Sequence, residues 1–126
     1  MSESRVIMDP AITGPLDFTA AGGSRGVNLF CAGRFDDTHA EQFIDAAAYD
    51  EATGFVRVSN SHVGARWARP TAASRRELQR VKFECSACGR STIARAEKFI
   101  AIVKKLVRHG LTKLTLAALD DILSRS

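Results

Sequence analysis

Cys85-Ser86-Ala87-Cys88-Gly89-Arg90 places two thiols two residues apart, with a glycine directly after the second. At that spacing both thiolates can face one cation while the intervening backbone turns. Glycine accepts the left-handed conformation that aims backbone N–H groups at sulfur. The chemistry this favours is tetrahedral zinc ligation, which needs four donors. The one remaining thiol is Cys31. It ends the alternating run Val27-Asn28-Leu29-Phe30-Cys31, just as Cys85 ends Val81-Lys82-Phe83-Glu84-Cys85, so each reads as a strand delivering a thiol to a turn. His39 follows Cys31 in a turn-like segment and is the favoured fourth donor, giving Cys31, His39, Cys85 and Cys88 as ligands of a structural zinc. His62 is its rival, and Asp36 or Asp37 suits a thiolate-rich site less well. His109, before Gly110, reads as a helix-end residue favoured by the helix dipole.

The knuckle and its flanking strands, about residues 80–95, resemble the zinc ribbons. A typical ribbon supplies a second CxxC, and this chain departs from that pattern because its second pair would be Cys31 and His39. The wider order of knuckle, short strand, amphipathic helix, glycine and Leu-rich helix resembles small zinc-ribbon-like proteins of bacteria and their phages. That resemblance implies a structural metal and brings no activity with it. Strand, CxxC and helix is also the thioredoxin-like order, but only 38 residues follow Cys88 and they read as mainly helical.

The elements that must position these donors follow from periodicity. Residues 41–50 and 55–60 read as a hairpin around Asp50-Glu51-Ala52-Thr53-Gly54, although Ala46-Ala47-Ala48 also suits a short helix over 40–49. Ser74 to Arg80 is expected to carry one helical turn. After a short strand, Ile93, Ala96, Phe99, Val103 and Leu106 recur at helical spacing, and Gly110 supplies the stop. Thr115 is a good N-cap for a second helix whose apolar side is Leu116, Leu119, Ile122 and Leu123. The expectation is an α+β fold: a small antiparallel sheet with zinc knuckles packed against two C-terminal helices. The metal-binding sheet covers 25–95 and the helices about 95–109 and 116–124. Residues 1–24, with Pro10, Pro15 and Gly22-Gly23, read as a flexible arm beside a single domain 25–126.

At 126 residues and 45% hydrophobic content the chain supports one modest core. No run reaches the roughly 20 apolar residues of a membrane span, and the N-terminus lacks the basic start and apolar core of a signal peptide. With an odd count of three cysteines, this points to a reduced, cytoplasmic protein.

Charge is unevenly spread. Residues 1–65 carry four Arg/Lys against nine Asp/Glu, while residues 66–126 carry fourteen against five. Arg66, Trp67, Arg69, Arg75, Arg76 and Arg80 concentrate cations around the single tryptophan. Guanidinium groups on phosphates and an indole on a base are what a nucleic-acid strip contains. Lys98, Lys104, Lys105 and Arg108 extend the positive charge along the long helix. No helix-turn-helix or base-reading constellation accompanies them, so contact would be driven by phosphate. The expected role is non-enzymatic: a zinc-stabilised module contacting nucleic acid or the transcription machinery. The alternative is a protein-interaction or assembly module, or a homodimer, working through the arm or the helix face. Nothing marks Asp36 or Asp37 as a catalytic base beside an open zinc position, and Gly22-Gly23-Ser24-Arg25-Gly26 lacks the Lys-Ser/Thr of a phosphate loop.

Overall fold

The computed structural model of the chain describes residues 5–9, 11–19, 25–32, 39–59, 68–69 and 76–125. Among these residues the fold is α+β. Seven strands form a mixed sheet, two form a separate hairpin, and two helices follow.

Strand β2 (Arg25–Cys31) pairs antiparallel with β3 (Gln42–Tyr49), and β3 pairs antiparallel with β4 (Val56–Val58). The β3–β4 turn is the one expected. Asp50 donates its N–H to the Phe55 carbonyl, accepts from the Gly54 N–H through its own carbonyl, and accepts from the Ala52 N–H through its side chain. Gly54 takes φ +77°, a value that favours glycine. The segment 42–49 is a strand and not a helix because it sits inside the sheet with both faces covered. Ala46, Ala47 and Ala48 are all buried, Ala47 in the main core and Ala46 and Ala48 in the cluster on the opposite face.

The sheet departs from the small antiparallel one expected. Val6–Met8 forms β1, which runs parallel to β4 and antiparallel to β6 (Arg76–Leu78); β5 (Ala68–Arg69) pairs with β6 at the edge. At the other edge β9 (Lys113–Thr115) runs parallel to β2. The order is β5-β6-β1-β4-β3-β2-β9. Residues 76–78, expected as part of a helical turn, are therefore extended: Leu78 is 1% exposed opposite Val6, and backbone pairing with β1 and β5 outweighs a weak local helical preference.

The segment read as a flexible arm is built into the domain over residues 5–9 and 11–19. Val6 is fully buried in the main core, while Ile12 and Phe18 pack with Ala46 and Ala48 on the opposite face of the sheet. Asn28 fastens this cover from beneath: Leu16 donates its N–H to Asn28 Oδ1 at 3.0 Å, and Asn28 Nδ2 donates to the Leu16 carbonyl at 2.8 Å. Gly26 is required where the cover passes closest, since a Cβ there would lie 2.8 Å from the Phe18 ring and 2.1 Å from the Ala47 carbonyl. Asp9 adds an ion pair to Arg57 at 2.8 Å.

The other face of the sheet carries the hairpin β7 (Arg80–Glu84) and β8 (Ser91–Arg95), with helices α1 (Ala96–Arg108) and α2 (Leu116–Arg125). Val81, Phe83, Ala94, Phe99, Ile100, Val103, Leu116 and Leu119 close the main core against Val27, Leu29 and Cys31. Helix α1 ends where Gly110 was expected to stop it. Gly110 takes φ +74°, its N–H reaches the Val107 carbonyl, and the Leu111 N–H reaches back to Leu106, the bond pattern of a Schellman motif. Thr115 Oγ1 accepts from the Ala118 N–H at 3.1 Å, capping α2 as expected.

Replacing Asn28 by alanine removes both side-chain bonds to Leu16. At about 0.5–1.5 kcal/mol each, Asn28→Ala is expected to lower unfolding stability by about 1–3 kcal/mol in urea titration; a change within error would show that residues 11–19 do not depend on this anchor.

Candidate metal centre

Cys31 is the last residue of β2, and the inward alternation Val27, Leu29, Cys31 turns its thiol to the core face, where it is fully buried. His39 is brought back to it by a bond from its own N–H to the Ala32 carbonyl at 3.1 Å. The ring is then oriented by Nδ1, which lies 2.7 Å from the Ala40 carbonyl oxygen. A carbonyl only accepts, so Nδ1 carries the proton and Nε2 presents its lone pair. This is the second bond that metal-ligating histidines usually make.

The hairpin supplies the other two donors. The Cys85 N–H bonds the Arg90 carbonyl and the Gly89 N–H bonds the Cys85 carbonyl, each at 2.8 Å, closing the turn between β7 and β8. Gly89 takes φ +76°, and nothing lies within 4 Å of where its Cβ would be, so conformation and not space demands glycine. Cys85 is 1% exposed, whereas Cys88 faces solvent at the rim. The Arg90 backbone N–H, donating to Cys88 sulfur, holds this thiol below its ordinary value of 9.0. Partial desolvation opposes the shift, and the Cys85 and Cys31 thiols and the Arg90 charge add to it. The thiolate form is the form that binds a metal.

The four donor atoms of Cys31, His39, Cys85 and Cys88 all lie within 4.8 Å of one another. His39 Nε2 is 3.6 Å from Cys85 Sγ and 3.8 Å from Cys31 Sγ, and Cys31 Sγ is 3.9 Å from Cys88 Sγ. Bonds of about 2.3 Å to sulfur and about 2.0–2.1 Å to nitrogen at tetrahedral angles require edges of about 3.8 Å between sulfurs and about 3.5 Å from sulfur to nitrogen. These three separations sit at or just above those edges, and the other three are no longer than 4.8 Å. They are far from the roughly 2.05 Å of a disulfide, and all three cysteines are free thiols. The cluster can therefore hold a metal ion, and its donor set of three thiolates and one imidazole suits zinc.

Outside the cluster, His109 caps α1 and is exposed, as its sequence position suggested. His62, Asp36 and Asp37 lie outside the described residues. So do Arg66, Trp67 and Arg75 of the basic strip. Arg69 and Arg76 fall in β5 and β6 at one edge of the sheet, and Arg80 opens β7 exposed to solvent. A supporting contact that sequence reading missed is Arg90, which reaches Asp120 at 3.1 Å and ties the knuckle to α2. Thirty residues separate the pair, and no local pattern announces it.

One zinc per chain is the expected stoichiometry in native mass spectrometry. His39→Ala should weaken retention against a chelator by more than about 100-fold, beyond the loss typical of an outer-shell change, while His62→Ala should leave it intact. The reverse result would reassign the fourth ligand. Acidification should release the metal, because protons compete for the thiolates. Among protein-family models, curated proteins and solved structures, none matches this chain, and the reading of the centre stands on its own geometry.

Proposed function

We propose that Cys31, His39, Cys85 and Cys88 bind a structural zinc ion, and that the chain is a zinc-stapled, non-enzymatic binding module of zinc-ribbon-like kind. The observation that carries this reading is the near-tetrahedral spacing of four donors drawn from two distant strand ends. Four protein ligands fill a tetrahedral shell and leave no position for a substrate or an activated water, which is the arrangement of structural and not catalytic sites.

The partner we propose is nucleic acid, contacted through phosphate. Support comes from the basic run between Arg66 and Lys82, with its single tryptophan and single acid, Glu77. Positions 69 and 76 belong to the paired strands β5 and β6, and position 80 opens β7 two residues after β6 ends. The competing role, a protein-interaction module, has less support. Residues 5–9 and 11–19 are occupied in the sheet and its cover. Phe99 and Val103 of the helix stripe are spent in the core.

Binding to single-stranded and duplex DNA should weaken as salt rises. A plot of log K against log salt should have a slope of about −4 for duplex and about −3 for single strands if four or five phosphates are engaged. Arg69→Glu with Arg76→Glu should abolish binding while zinc content stays at wild type. Absent or salt-insensitive binding would remove the nucleic-acid role and leave the zinc assignment standing.

A further inference from the structure

At the end of β2 remote from Cys31, a groove of about 470 Å³ opens between the sheet and the last turns of α1. Its walls are Arg25, Tyr49, Glu51, Lys104, Val107 and Arg108. Six residue steps of strand separate Arg25 from Cys31, which is about 20 Å, so the groove and the metal centre are distinct. The volume falls in the range of small-molecule sites, about 300–1,000 Å³.

Three cations converge here from two elements. Lys104 and Arg108 are one helical turn apart on α1, a like-charge spacing that costs an isolated helix a few tenths of a kcal/mol, and Arg25 faces them from β2. The one carboxylate in the wall, Glu51, is engaged by Arg25 at 3.3 Å. None of the ion pairs among the described residues involves Lys104 or Arg108. The helix dipole accounts for a cation in the last turn, and Lys105 meets that need from an exposed position. It does not account for half-buried Lys104 beside the groove or for Arg25 on a strand. At the α1 C-terminus the carbonyls of Lys105, Leu106 and Val107 accept from the N–H groups of His109, Gly110 and Leu111.

The wall also offers an aromatic ring. Tyr49 lies directly across the β2–β3 ladder from Arg25, so the two side chains share a sheet face. The ring is half-buried and packs on the main core, which fixes it in place. Cations for a phosphate next to a fixed aromatic ring for a base is the pairing a nucleotide requires.

We infer that this groove binds a nucleotide unit, with its phosphate on Lys104, Arg108 and Arg25 and its base against Tyr49. The inference goes beyond the reading above and concerns a different part of the surface from the Arg66–Lys82 run. A nucleotide unit can arrive free or as part of a single strand, and the test distinguishes the two.

The ¹⁵N-labelled 126-residue chain is titrated at low salt with adenosine monophosphate, adenosine, inorganic phosphate and a short oligothymidylate, following backbone amides. The expected result is that the mononucleotide or the oligonucleotide shifts amides at Arg25, Tyr49, Lys104 and Arg108, while adenosine does not. Shifts with the mononucleotide assign a free nucleotide; shifts with the oligonucleotide alone assign a strand. Lys104→Gln with Arg108→Gln should reduce that affinity at least about tenfold, the loss of a charged hydrogen bond. Tyr49→Leu should weaken the nucleotide several-fold and leave inorganic phosphate unchanged. The inference is overturned if none of these probes moves the groove amides, if the shifts survive the double substitution, or if phosphate binds as tightly as the nucleotide. Oligonucleotide shifts confined to residues 66–82 would overturn it too, and leave the preceding reading intact.

Discussion

Four soft or borderline donors share a space less than 5 Å across, although they come from strand ends far apart in the chain. Cys31 and Cys88 are 57 residues apart, and His39 and Cys85 are 46 apart. Bringing such segments together costs loop-closure entropy. The site is assembled only in the folded chain, so the free energy of binding a metal there would be folding free energy. A domain of 126 residues in which β3 contributes three alanines to the buried layers has a modest apolar core. The proposed metal therefore bears on the fold as a whole as well as on the turns that hold it.

The two thiols that reach the core explain how the centre and the hydrophobic layer support one another. Cys31 and Cys85 are members of the main core cluster, packed among the same side chains as Leu29, Phe83 and Leu116. The β2 strand that ends in Cys31 is also the strand on which α1 and α2 rest and against which β9 pairs. The knuckle that carries Cys85 and Cys88 is held on its far side by Arg90 and Asp120. The donor cluster, sheet pairing and helix packing thus meet on β2, and the groove beside Arg25 uses the other end of the same strand.

How much of this was legible in the sequence depended on whether the signal was local. Cys85-x-x-Cys88-Gly89, the alternation from Val27 to Cys31, the Gly110 stop and the Thr115 cap each lie within a few residues, and each marks what the structure shows. The antiparallel pair around Gly54 was legible for the same reason. The mixed sheet was not, because its parallel pairs join Val6 to Val56 and Leu29 to Leu114, and no short window contains both partners. Strands of three residues such as Lys113–Thr115 are too brief to show alternation. Proline and glycine made residues 1–24 read as loose, while Val6, Ile12 and Phe18 carried burial that becomes visible only with the sheet beneath them. The groove was illegible because Arg25, Tyr49, Lys104 and Arg108 become neighbours only in three dimensions.

The most direct test of the account is X-ray absorption at the zinc edge on the purified 126-residue chain. Three sulfur neighbours at about 2.3 Å and one nitrogen at about 2.0–2.1 Å are the expected first shell. A shell of oxygen and nitrogen alone, or a folded chain that takes up no zinc, would contradict it.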